Sequence, residues 1–108
     1  MASQAPEAKT VSEPDFVGGI VPESEVWVRF DLKGGHDPIY TPEFDRLYEL
    51  PGAPAIAGAE IKSSMPVKLL GWTSNPNEPP VLIVEGPTGK SKEAQPPVRV
   101  GIFRVERR

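Results

Sequence analysis

Glu25-Val26-Trp27-Val28-Arg29-Phe30-Asp31-Leu32 is the stretch on which the fold turns. Val26, Val28, Phe30 and Leu32 take one set of alternate positions, and Glu25, Trp27, Arg29 and Asp31 take the other. Successive side chains of a strand point to opposite faces, so this alternation predicts a half-buried antiparallel strand. Lys33-Gly34-Gly35-His36-Asp37-Pro38 ends it, because paired glycines and Asp-Pro mark turns.

Beyond that turn, Thr41–Leu50 carries helix signals. Thr41 suits an N-cap, Pro42 the first helical position, and Glu43 and Asp45 the first turn. Phe44, Leu47 and Tyr48 share a face and Pro51-Gly52 is a stop. The pattern predicts a short helix of about two turns, with a loop as the alternative. Further strands are expected near Ala59–Lys62, at Pro66–Trp72, at Val81–Val84 and at Val98–Glu106. Val81–Val84 is apolar throughout, which suits a central strand covered on both faces. In the last stretch Val98, Val100 and Ile102 share one parity while Phe103 and Val105 take the other. A bulge at Gly101 would reconcile them.

The chain has 108 residues with 14 prolines and 10 glycines, a density that long helices do not survive. Its length fits one domain. The expected fold is therefore mainly β: a small antiparallel barrel or sandwich with one short helix and an extended N-terminal arm. The arm covers residues 1–24 and the β-domain residues 25–108.

Several classes of function drop out. Without cysteine there are no disulfides, iron–sulfur clusters or thiolate zinc sites. Val81–Val84 is the longest strongly apolar run, against about 20 residues for a membrane helix. No basic segment followed by an apolar one opens the chain, so no signal peptide is read and a soluble protein is expected. The net charge of −3 argues against nucleic acid held by bulk charge. Residues 1–60 carry 11 acids and 4 bases, and residues 61–108 carry 4 acids and 8 bases. These charges either interleave on one surface or give the molecule an acidic and a basic side that could orient identical copies.

Candidate chemistry is sparse. Gly86-Pro87-Thr88-Gly89-Lys90-Ser91 ends like a phosphate loop, but position 84 is valine where that motif needs its first glycine. Pro96-Pro97 leaves no room for the helix that should follow, so a hairpin loop is expected. His36, the one histidine, reads as a turn residue and not as a catalytic or zinc-binding group. Asp37, Glu43 and Asp45 miss the spacing of an EF-hand loop. Arg104, Arg107 and Arg108 lack the interleaved aromatics of single-strand binders. Trp72 reads as a rim residue of the core. No catalytic residue, cofactor, metal or small-molecule substrate is expected.

The expected partners are proteins. Trp27 falls on the polar face of its strand, where it either meets a partner or is covered by the arm or the short helix. In the arm, Phe16, Val17, Ile20 and Val21 are the apolar anchors, too few to order two dozen residues alone. The sequence thus points to a non-enzymatic structural protein decorating or cementing a multi-copy assembly such as a virus particle. Its partners are subunits of that assembly, including copies of itself, and not nucleic acid or membrane. On this reading residues 1–14 can be deleted with the melting temperature nearly unchanged. The alternative is a small SH3-like binding module serving as an accessory subunit of an enzyme complex.

Overall fold

The computed structural model describes residues 5–12, 20–34 and 37–108. These residues contain eight strands: β1 Trp27–Leu32, β2 Ile39–Tyr40, β3 Tyr48–Glu49, β4 Ala55–Lys62, β5 Val67–Trp72, β6 Leu82–Gly86, β7 Lys92–Arg99 and β8 Ile102–Arg107. They form two four-stranded sheets, ordered β2-β1-β4-β7 and β3-β8-β5-β6, with every strand pair antiparallel. The sheets pack together around one core, and no barrel closes among the described residues.

The alternation of β1 is realised as expected. Val26, Val28 and Phe30 are buried in the core and Leu32 packs against it. Opposite them, Ile56, Ala59 and Ile61 of β4 fill the same layer. A register irregularity between Ile56 and Gly58 turns Ile56 and the Ala59–Ile61 pair to the same face despite their different parity. From the other sheet come Val67, Leu69, Leu82, Val84, Phe103 and Val105. Phe103 is the aromatic hub, with ring centroids 5.2 Å from Phe30, 5.6 Å from Tyr40 and 5.6 Å from Tyr48.

Three expectations change. Thr41–Leu50 is not a helix: it is a turn at Phe44–Asp45 running into the two-residue strand β3. Asp45 sits in the left-handed region at φ 61°, and its N–H donates to the Val105 carbonyl at 2.8 Å. The Glu43 N–H goes to the Tyr48 hydroxyl. The Asp45 N–H, which a helix capped at Thr41 would use internally, is taken by a distant strand, and two isolated turns are too short to compete.

Secondly, β6 is an edge strand, not a central one. Its residues alternate, with Leu82 and Val84 buried and Ile83 57% exposed.

Thirdly, the parity change near Gly101 is a corner and not a bulge. The chain leaves one sheet at Arg99 and enters the other at Ile102. Val100 belongs to the core on one side of that corner, and Phe103 and Val105 on the other. Ile102 faces outward into a small second cluster with Leu70, Trp72 and Leu47.

Candidate functional site

Residues 5–12 cross the open side of the two sheets. Ala8 N–H donates to the Glu49 carbonyl at 2.8 Å, and Glu49 N–H to the Pro6 carbonyl at 2.8 Å. Glu7 and Glu49 form a parallel bridge. Farther along, Val11 N–H donates to the Ile39 carbonyl at 2.9 Å. The segment is therefore tied by main chain to β3 of one sheet and to β2 of the other. Ala8 is its buried anchor and joins the core. Docking of the first half of the arm was not expected, since main-chain bonds leave no pattern of side chains to read.

Beside this segment lies a cavity of about 320 Å³, lined by Pro6, Tyr40, Pro42, Arg46, Tyr48 and Phe103 among others. That volume is at the lower end of small-ligand sites. The Arg46 guanidinium stands 5.7 Å from the Tyr48 ring centroid and pairs with Glu43. Burial pushes the Tyr40 phenol above its ordinary value, and the Glu7 carboxylate adds to the shift. The neutral phenol is thus preferred in the folded chain. Its stabilising contribution is complete below the unfolded value of 10.0 and is lost as pH rises above it. In urea titrations at about pH 8 and about pH 11, wild type should lose more stability than Tyr40→Phe. Equal losses would mean that Tyr40 titrates as it does in the unfolded chain.

The proposed partner-binding residues fare differently. Phe16 and Val17 lie outside the described residues. Ile20 is 71% exposed while Val21 is buried. Trp27 is only 1% exposed, so of the two alternatives it is covered within its own chain. It pairs with Lys62 across the sheet, and the Lys62 ammonium sits 4.7 Å from its ring centroid. The long lysine stem and the cation–π contact suit an indole on an outer sheet face. Its N–H finds no acceptor among the described residues.

Loop Gly86–Ser91 is structural. The Thr88 hydroxyl accepts the Ile61 N–H at 3.1 Å, and the Thr88 N–H donates to the Ile61 carbonyl at 3.0 Å. Ser91 donates to Asp31, and β7 follows at once where a phosphate loop needs a helix. His36 lies outside the described residues. Asp37 accepts the Leu32 N–H, capping the end of β1. No cluster of three His, Asp or Glu fit to hold a metal occurs among the described residues. Arg104 lies over Trp72 and pairs with Glu106, Arg107 lies over Phe44, and Arg108 pairs with Glu85. Trp72 is a buried member of the outer cluster, and its N–H donates to the Glu78 carbonyl.

Charges in the strands nearly balance in each sheet. The acid excess sits in residues 1–26, where Glu7, Glu13, Asp15, Glu23 and Glu25 face a single base, Lys9. The contrast between sequence halves therefore reduces to an acidic arm on a near-neutral body.

Among described residues no helix is long and apolar enough to cross a membrane. Compared with family models, curated proteins and solved structures, the chain gives no significant match.

Proposed function

We propose that the chain is a non-enzymatic structural subunit, a small two-sheet β-domain that decorates or cements a larger multi-copy assembly such as a virus particle. The observation behind this reading is the main-chain seat of residues 6–11 on the β3 and β2 edges. Addition of an extended segment to a sheet edge needs few side-chain contacts, and a neighbouring subunit's edge can offer the same groups. Within that segment Glu7, Lys9, Thr10 and Val11 stay exposed, and farther along the arm Ile20 does too, which leaves surface for a neighbour.

A second reading, an SH3-like module in an enzyme complex, draws on the cavity lined by Tyr40, Pro42 and Tyr48. Aromatic and proline surfaces of this kind accept proline-rich segments.

Removal of residues 1–12, followed by a thermal melt and gradient sedimentation in the producing cells, tests the proposal. Ala8 and its main-chain bonds belong to the fold, so the truncated chain should lose about 1–3 kcal/mol yet stay folded. This revises the expectation of an unchanged melting temperature. Full-length chain should sediment with a large particle at a fixed copy ratio, and truncated chain should not. A small stoichiometric complex with an enzyme would favour the second reading. A monomer throughout would overturn both.

A further inference from the structure

The four sheet edges are not equally protected. β2 is two residues long, follows Pro38 and is tied to Val11 of the arm. β3 is equally short and is bonded to Pro6 and Ala8. β7 carries Pro96 and Pro97 within the strand, with Lys92 and Glu93 at its start. Short strands, prolines, charges and covering segments are the devices that keep an edge from pairing.

β6 itself carries no proline or charge over Leu82–Val84, and Val81 just before it, bonded through its N–H to the Gly71 carbonyl, is apolar as well. Pro80 precedes the run and Glu85 follows it, but the four residues between are Val-Leu-Ile-Val. Leu82 and Val84 are buried, whereas Val81 is 46% and Ile83 57% exposed. An open groove of about 320 Å³ runs along this strand, lined by Leu82, Ile83, Val84 and Glu85 and by Lys92 and Glu93 of β7.

We propose that β6 is a self-pairing edge: two copies join β6 to β6 antiparallel about a two-fold axis at Ile83, making one continuous eight-stranded sheet. The sequence selects this register. Ile83 faces its own copy, Leu82 faces Val84 of the second copy, and Val81 faces Glu85 of the second copy. No like charges oppose each other and no proline enters the ladder between residues 81 and 85. Moving the axis to Glu85 would set two carboxylates face to face, which is destabilising. Moving it to Leu82 would put Pro80, which has no N–H, opposite Val84, and moving it to Val84 would put Pro87 opposite Val81. With the axis at Ile83, its β5 neighbour Leu70 extends an apolar strip from one copy across the seam to the other. The seam lies at the opposite end of its sheet from β3 and the arm, so it stands or falls separately from the arm's role.

The chain's lack of cysteine makes the test direct. Light scattering on a dilution series should show a concentration-dependent dimer, because a five-residue seam is small for a permanent interface. Ile83→Lys should weaken dimerisation about tenfold or more, with an unchanged circular dichroism spectrum. Directly opposed Cβ atoms lie about 4.5–5.5 Å apart, so Ile83→Cys should form a covalent dimer under mild oxidation much faster than Val81→Cys. The cysteine variants keep the proposal testable should Ile83→Lys fail to fold. A chain monomeric at every concentration would overturn it. So would a dimer indifferent to Ile83→Lys, or equal cross-linking at positions 81 and 83.

Discussion

Phe103→Ala is expected to lower folding stability by about 3–5 kcal/mol, the largest effect of any single truncation in this core. The ring is fully buried on β8. It meets Phe30 of the opposing sheet edge-on at 75° and lies nearly parallel to Tyr48 at 24°. Tyr40 completes the group at 5.6 Å. One side chain thus connects β1, β2, β3 and β8, and its removal leaves a cavity that four strands would have to collapse together to fill. Domains of this kind have about 5–15 kcal/mol in total, so the variant should be near the edge of folding. Phe103→Leu keeps most of the volume and should cost under about 1.5 kcal/mol. Urea unfolding of both variants checks the pair. A loss under about 1 kcal/mol for Phe103→Ala would mean that the aromatic group does not hold the sheets together.

Local patterns were readable where their cause is local. The alternation of Val26, Val28 and Phe30 follows from strand geometry, and those residues are buried as it requires. Elsewhere the deciding partner is distant in sequence. Thr41, Pro42 and Glu43 carry genuine helix-start chemistry, but Val105 takes the Asp45 N–H from 60 residues away. Nothing in Val81–Val84 records that β5 lies on only one side of it. The face of Trp27 was readable and its cover was not, because Lys62 reaches it from the paired strand. The seat of residues 6–11 left even less trace. Its bonds are main chain to main chain, and its one buried side chain is an alanine.

Gly101 gives the second large effect, for a reason of space and not of backbone conformation. A Cβ there would lie 2.4 Å from the Thr73 carbonyl oxygen and 3.3 Å from the Ala53 Cβ. Neither neighbour can withdraw easily. The Gly101 N–H donates to the Trp72 carbonyl at 2.8 Å, and the Thr73 hydroxyl donates to the Arg99 carbonyl at 2.9 Å. From the other side the Gly101 carbonyl accepts the Leu50 N–H at 2.7 Å. The corner that carries the chain from β7 to β8 is therefore clamped between two segments. Gly101→Ala should lower stability by about 1–3 kcal/mol, and Gly101→Val by more, since a branched side chain cannot turn away from the contact. Gly89 is the contrasting case, with φ +48° and open space around it. Gly89→Ala meets only a conformational penalty of about 1–2 kcal/mol. Ala53 itself sits at φ 42°, so Ala53→Gly should add a similar conformational gain to wild type and to Gly101→Ala while leaving the severe contact with Thr73 in place. Thermal melts of these four variants separate the two kinds of glycine. If Gly101→Ala melts within experimental error of wild type, Thr73 can recede and the sheet-to-sheet corner is not the rigid joint that sets Phe103 and Val105 facing the core.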